Sequence, residues 1–257
     1  MRWNPDQYLK FSDLRLRPAL DLIARIPLAE AQRITDLGCG TGIGIEQLAH
    51  LYPNAEMTGV DSSVDMLDAA QKKLKPKAAW VLGDIKTWQP PIRQDLLFSN
   101  AALHWVDHHE TLFPKLMQHV SPGGVLAVQM PNQYDAPSHV LMREVARNGP
   151  WADGLKPVLR PRPVADGKNY FNWLKPYAKA IDIWETQYMQ ALTGDDPVFD
   201  WISSTALRPL WEVLEAKHKA EFTHTLSKAL RKAYPVGLEG ITIFSFKRLF
   251  IVAQKAL

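Results

Sequence analysis

Cysteine is nearly absent. Cys39 is the only one in 257 residues, which excludes an internal disulfide and a metal cage built from thiolates. Strong charge of either sign is missing too: 30 basic against 27 acidic residues leave a formal net charge of +3. A dedicated nucleic-acid surface would concentrate much more positive charge. No nucleic-acid partner is therefore expected, while a local basic pocket for a small acidic substrate stays open. No apolar run approaches the roughly 18 residues of a membrane span, and the opening MRWNPDQYLKF lacks a signal peptide's hydrophobic core. A cytoplasmic protein without a membrane partner is the expectation. Internal repeats and low-complexity tracts are lacking as well. With 46% hydrophobic content, the chain can bury one full core with room for a subdomain.

What is present centres on Ile34-Thr35-Asp36-Leu37-Gly38-Cys39-Gly40-Thr41-Gly42. It reads as a buried strand entering a glycine-rich turn, followed by the helix IGIEQLAHLY. Glycines here let the backbone take positive φ and pass close to a ligand, and a helix N-terminus suits an anionic group. The dinucleotide fingerprint G-x-G-x-x-G fails, because Ile43 or Ile45 stands where its last glycine belongs. The phosphate-binding G-x-x-x-x-G-K-[ST] loop fails for want of its Lys-Ser or Lys-Thr. The remaining pattern, D-x-G-x-G-x-G, resembles the nucleotide turn of class I S-adenosylmethionine-dependent methyltransferases. An ordinary turn between strand and helix is the bland alternative on this motif alone.

Spacing downstream separates the two. RITDLG, AEMTGVD, AAWVLGD, DLLFSNA and VLAVQMP read as strands, with helical SVDMLDAAQKKL and HETLFPKLMQHV among the segments between them. This alternation predicts a parallel sheet with helices on both faces, whose ligands bind at the carboxyl ends of the strands. Those ends carry acids. Asp61 closes the second strand about 20 residues past the turn, where a carboxylate can accept both ribose hydroxyls, and Asp84 closes the third. Singly, each acid is an ordinary cap: Asp61-Ser62-Ser63 would serve the following helix. Three strand ends in register favour a cofactor site.

The methyltransferase resemblance then implies roles. Asp36 and Gly38 would hold the amino-acid end of S-adenosyl-L-methionine, and Gly40 would let the backbone approach it. Asp61, with Ser62 beside it, would take the ribose. Met66 would line the adenine, with Asp84 and the Ile85 backbone near its amino group. Asn100 and Ala101 would lie beside the methionine moiety and the transferable methyl.

Beyond the cofactor core, IDIWETQYMQAL reads as a sixth strand and FKRLFIVAQKA as the last. The helical stretches PVFDWISSTALRPLWEVLEAKH and AEFTHTLSKALRKAY lie between them. An insert of that size predicts a lid or binding element. The expected architecture is a Rossmann-like, seven-stranded, mostly parallel sheet with helices on both faces and a helical cap inserted before the last strand. One domain covers 1–257: an N-terminal flap and helix in 1–30, the cofactor core in 33–130 and the cap in 193–235.

A closer resemblance spans nearly the whole chain. WNPDQYLKFSDLRLRPA, NAALHWV, LAVQMP, HVLMREVA, DIWETQY, DWISSTALRP and RLFIVA look like the trans-aconitate 2-methyltransferase family. His104 departs from it, standing where the family often has Gln. The resemblance implies methyl transfer to a carboxylate of a small tricarboxylate, giving a monomethyl ester and S-adenosyl-L-homocysteine. Such an acceptor, with a pKa of about 4 to 5, is ionised at neutral pH and needs no general base, so no catalytic residue is expected. The other carboxylates must be paired, and arginine's planar fork suits them. Arg15 and Arg17 from the flap, Arg208 from the cap and Arg248 from the last strand are the candidates. Tyr8, His104, Trp105, Tyr188 and Trp201 are candidate pocket residues, although aromatics at these spacings are commonly core. A metal site at His104, His108 and His109 lacks a suitably spaced third ligand, and none is expected. Competing readings are another small or carrier-linked acid, a nicotinamide-dependent oxidoreductase, and a non-catalytic cofactor-binding module. Oligomeric state is not readable.

Overall fold

The computed structural model describes residues 12–74 and 78–257, with the backbone alone at 12, 13 and 15. Helix α1 (Ser12–Ile23) leads into strand β1 (Arg33–Leu37), helix α2 (Ile43–Leu51), β2 (Glu56–Asp61), α3 (Val64–Lys73), β3 (Ala78–Leu82) and β4 (Gln94–Asn100). A 3-10 turn at Leu103–Trp105 precedes α4 (His109–His119), and β5 (Val120–Pro131) follows. Then come α5 (Pro137–Arg147), α6 (Ala152–Leu155), α7 (Gly167–Leu174), β6 (Ala178–Leu192), α8 (Pro197–Ser203), α9 (Arg208–Val213), α10 (Ala216–Ala233) and β7 (Thr242–Lys255).

The seven strands form one sheet in the order β3-β2-β1-β4-β5-β7-β6. Strands β1 to β5 pair in parallel, and β7 runs antiparallel to β5. From β1 the chain winds outward through β2 and β3, then returns to place β4 on the other side of β1. The strand order therefore reverses between β1 and β4, and in such sheets ligands bind beyond the carboxyl ends of the strands at that point. Central strands covered on both faces read as near-continuous apolar runs, which explains the burial of Leu96, Leu97 and Phe98 in succession. Edge strand β3 is mostly exposed, including Leu82.

Pleating sorts residues between the faces, since alternate side chains point oppositely. Leu37, Leu97, Leu126 and Ile251 share a cluster with Phe113 of α4 and Tyr170 of α7. Asp36 pairs in register with Phe98, and Asn100 with Gln129, so these four share the opposite face. Gly44 of α2 approaches that second face so closely that a Cβ on it would lie 3.0 Å from the Phe98 ring. Helices therefore cover both faces, as the strand–helix alternation predicts.

Two compact units divide the chain. The first holds residues 1–131, 163–186 and 248–257; the second holds 132–162 and 187–247. The second has its own apolar interior. Trp201 lies 6.0 Å from Phe244 and 5.6 Å from Phe246 between ring centroids, Trp151 packs edge-on against Phe222, and α5 packs against α10. The proposed 193–235 cap falls inside this unit, together with 132–162 and the adjoining parts of β6 and β7.

Candidate active site

The turn after β1 depends on missing side chains. Gly38 holds φ at 75° and Gly40 at 54°, the left-handed region where a Cβ costs energy. A Cβ on Gly38 would lie 2.2 Å from the Cβ of Ala102, so the turn and the loop after β4 can touch only with glycine there. A Cβ on Gly40 would meet no atom of the described residues within 4 Å. No described side chain covers the backbone at that point.

Asp61 fastens the turn from the end of β2. Its Oδ2 accepts the Gly40 N–H at 2.9 Å, and its Oδ1 accepts the Ser63 N–H at 2.9 Å. Burial pushes its pKa up, against the pull of N–H groups at Ser63, Gly40 and Ser62. A carboxylate offers about four lone-pair sites, so Asp61 can still accept from a ligand hydroxyl. Ser62 is exposed, while Ser63 caps α3 by accepting the Met66 N–H at 3.4 Å. That cap fixes the first turn of α3 and with it Met66, which is buried. Asp84 is exposed, with its Oδ1 accepting the Lys86 N–H at 2.9 Å. The half-buried Ile85 packs on the core, its Cδ1 3.5 Å from the position a Gly38 Cβ would take.

On β1, burial drives the Asp36 carboxyl up to about pKa 8, with the nearby Asp61 charge adding to the shift. Its Oδ1 has no hydrogen-bond partner among the described residues, and neither does the Oδ1 of Asn100 on the same face. Leaving such a group unsatisfied costs about 1–3 kcal/mol, so both oxygens call for a donor from a ligand. An ammonium group is the fitting one: it supplies three N–H bonds and would neutralise Asp36 as that residue ionises. These acceptors at the ends of β1 and β4, the Asp61 carboxylate and the Gly40 backbone have the chemistry to hold an amino-acid nucleoside. Ala101 follows Asn100 with φ at 55° and donates its N–H to the Gln129 carbonyl at 2.9 Å.

The loop beyond Ala101 is pinned from below. His109 Nε2 lies 2.9 Å from the Leu103 carbonyl, and Nδ1 lies 2.6 Å from the Tyr170 hydroxyl. The carbonyl can only accept, so the proton sits on Nε2 and Tyr170 donates to Nδ1. The Tyr170 oxygen in turn accepts the Ala165 N–H at 3.2 Å. His109 is thus a buried strut for the 3-10 turn carrying His104 and Trp105. His108 occupies the N-cap position of α4 with φ at 60° and makes no side-chain cap bond. Among the described residues, no group of three or more His, Cys, Asp and Glu side chains is placed to hold a metal.

Residues 34–124 match the family described as "Methyltransferase domain". The trans-aconitate 2-methyltransferase of Azoarcus sp. is 41% identical over 253 residues, covering 98% of this chain and 99% of its own. That of Methylobacterium nodulans is 43% identical, covering 98% of each chain. The chain belongs to the trans-aconitate 2-methyltransferase family. Likeness in fold reaches further. The Haemonchus contortus phosphoethanolamine N-methyltransferase 2, solved in complex with S-adenosyl-L-methionine, superposes with a TM-score of 0.56 at 16% identity. It matches 94% of this chain, which spans 53% of that longer protein.

Within this member of the family, the ten expected cofactor residues all lie in the first unit, at or just beyond the carboxyl ends of β1 to β4. The expected acid-binding residues are more scattered. His104 and Trp105 are half-buried neighbours, ring centroids 4.9 Å apart, just past Ala101. Arg248 is buried near the start of the first unit's part of β7, its Nη1 donating to Gln129 Oε1 at 3.1 Å. Arg17 is exposed on α1, a helix that lies against β5. Arg15 belongs to the same helix, with its side chain outside the description, and Tyr8 lies outside the described residues. Tyr188, Trp201 and Arg208 belong to the second unit. Tyr188 and Trp201 are buried there, and Arg208 is half-buried, its pKa lowered by burial against the opposing Glu212. Sequence reasoning passed over Gln129 and the His109–Tyr170 pair. Gln129 had a signal: it is the polar residue in the apolar strand VLAVQM, and polar side chains are seldom so placed without a task.

Proposed function

We propose that the protein is a cytoplasmic carboxyl O-methyltransferase that converts trans-aconitate to a monomethyl ester, with S-adenosyl-L-homocysteine as the other product. The observation that carries this reading is 41% identity, over 98% of the chain, to an Azoarcus protein of that name. Bound S-adenosyl-L-methionine supplies a methyl group made electrophilic by its sulfonium.

Residues of this chain do the positioning. Asp36 and Asn100 would accept from the cofactor's ammonium, Asp61 would accept from the ribose, and Gly40 would let the backbone approach it. Met66 would line the adenine, with Asp84 and the Ile85 backbone near its amino group. The acceptor carboxylate is ionised at neutral pH, as carboxyl pKa values near about 4 require, so no side chain has to remove a proton. Rate is gained by holding the carboxylate oxygen in line with the methyl group, an effect worth about 7–11 kcal/mol in well-oriented systems. Arg15, Arg17, Arg208 and Arg248 are the residues suited to the remaining carboxylates, because guanidinium binds carboxylate through paired N–H bonds. A small tricarboxylate is the partner in this reading, and nucleic acid is not.

Mass spectrometry of the purified protein, incubated with S-adenosyl-L-methionine and trans-aconitate, cis-aconitate, isocitrate, citrate or a dicarboxylate, tests it. A base-labile product heavier by one methyl, formed chiefly from trans-aconitate, is expected. Ester formation from none of these acids would overturn the substrate assignment.

A further inference from the structure

The face of the sheet that carries Asp36 and Asn100 continues onto β5 and β7, and its polarity changes there. Gln129 of β5 is wholly buried. It pairs in register with Asn100 on one side and with Phe250 on the other. Its carbonyl oxygen Oε1 accepts from Arg248 Nη1 at 3.1 Å. Arginine has only donors to offer, so the amide must turn its oxygen toward the guanidinium. Its NH2 group is the adjoining arm of the same planar amide, and Nε2 has no acceptor among the described residues. A buried donor left without an acceptor destabilises the fold unless a ligand supplies one. The strand ends thus run from acceptors on β1 and β4 to a donor on β5, none with a partner among the described residues, beside a buried cation on β7.

We propose that Gln129 and Arg248 form a carboxylate subsite, in which Gln129 Nε2 and the Arg248 guanidinium donate together to one carboxylate of the acid substrate. This rests on the carboxyl-methyltransferase reading and goes beyond it by assigning Gln129. The residue acts in two ways. Its Oε1 orients the guanidinium, and its Nε2 supplies a neutral donor that adds no competing charge. Its main-chain carbonyl also holds the N–H of Ala101 at 2.9 Å, so subsite and methyl-transfer loop share one anchor. The boundary between the two ligands then falls between Asn100 and Gln129. Acceptors face the ammonium of the cofactor, and donors face the acid.

Gln129→Glu separates a binding role from a structural one. A glutamate keeps the size of the side chain and still accepts from Arg248, so a purely structural role survives it. A binding role does not, because the donor is lost and a negative charge faces the substrate. Calorimetry would titrate trans-aconitate into the protein saturated with S-adenosyl-L-homocysteine, for wild type, Gln129→Glu and Gln129→Met. The expected result is affinity weakened by about 30-fold or more in both variants, as loss of a charge-assisted bond implies. Affinity for S-adenosyl-L-homocysteine should stay within about twofold, and the Gln129→Glu melting temperature should not fall. Three results would overturn the proposal: both variants binding trans-aconitate like wild type, Gln129→Glu alone binding like wild type, or no binding by wild type. Binding that is lost in the variants, in a wild-type protein that forms no ester, would support the subsite while the substrate reading failed.

Discussion

Asp61 Oδ2 accepts the Gly40 N–H at 2.9 Å, joining the glycine turn after β1 to the end of β2 across 21 residues. One carboxylate thereby fixes the backbone that must lie against a ligand and presents its remaining lone pairs to that ligand. Asp61→Ala should weaken S-adenosyl-L-homocysteine binding by about 10- to 100-fold, the worth of hydrogen bonds to a charged group. Asp61→Asn should lose less, because its amide oxygen can still take the Gly40 N–H. Calorimetry on both variants checks the ordering.

The two glycines of the turn should fail differently. Gly38→Ala forces a Cβ toward Ala102 at positive φ, and strain plus overpacking should cost about 2–4 kcal/mol of stability. Gly40→Ala adds a Cβ that meets none of the described residues, so stability should fall by only about 1 kcal/mol. Cofactor affinity should nonetheless drop sharply, since the methyl group occupies the approach to the backbone. Chemical denaturation alongside cofactor titration distinguishes the two.

Asp36 should make the ligand-free protein pH-sensitive. Its folded pKa of about 8 stands above the unfolded value of about 3.9. Between those values the folded state keeps a proton that the unfolded state has released, so stability falls as pH rises from about 4 to 8. Asp36→Asn should flatten the fall in melting temperature over that range. At pH 7, binding of S-adenosyl-L-homocysteine should release close to one proton from Asp36, measurable by calorimetry in buffers of different ionisation enthalpy. A wild-type melting curve that rises across this range would contradict the assignment.

His109→Phe should remove the bonds to Leu103 and Tyr170 while roughly filling the space. Leaving two buried partners unsatisfied should cost about 2–4 kcal/mol, and kcat should fall because the turn bearing His104 and Trp105 loses its strut. Cofactor affinity should change little. Denaturation and steady-state kinetics on one preparation check both effects.

Changed to Met one at a time, at least one of Arg15, Arg17, Arg208 and Arg248 should raise the KM for trans-aconitate far more than that for S-adenosyl-L-methionine. Wild-type substrate affinity in all four would dispose of the arginine clamp.

Much of this was legible along the chain. The D-x-G-x-G-x-G turn, the acids closing β2 and β3, and Asn100-Ala101 closing β4 are local features, each set by a strand ending where a helix or loop begins. Parallel winding then carries them to one edge of the sheet without further information. Gln129 and Arg248 were harder to pair, because 119 residues separate them and only the antiparallel register of β5 with β7 brings them together.

The sequence by itself determined the alternation of strands and helices, the glycine turn and the acids at the strand ends, because backbone conformation and side-chain periodicity are encoded over a few residues. Tertiary structure alone decided three things. It grouped 132–162 with 187–247 into a second unit, buried His109 against Tyr170, and set the orphaned amide of Gln129 beside Arg248. Each depends on contacts between segments distant in the chain, whose burial and register arise only when the sheet closes around them.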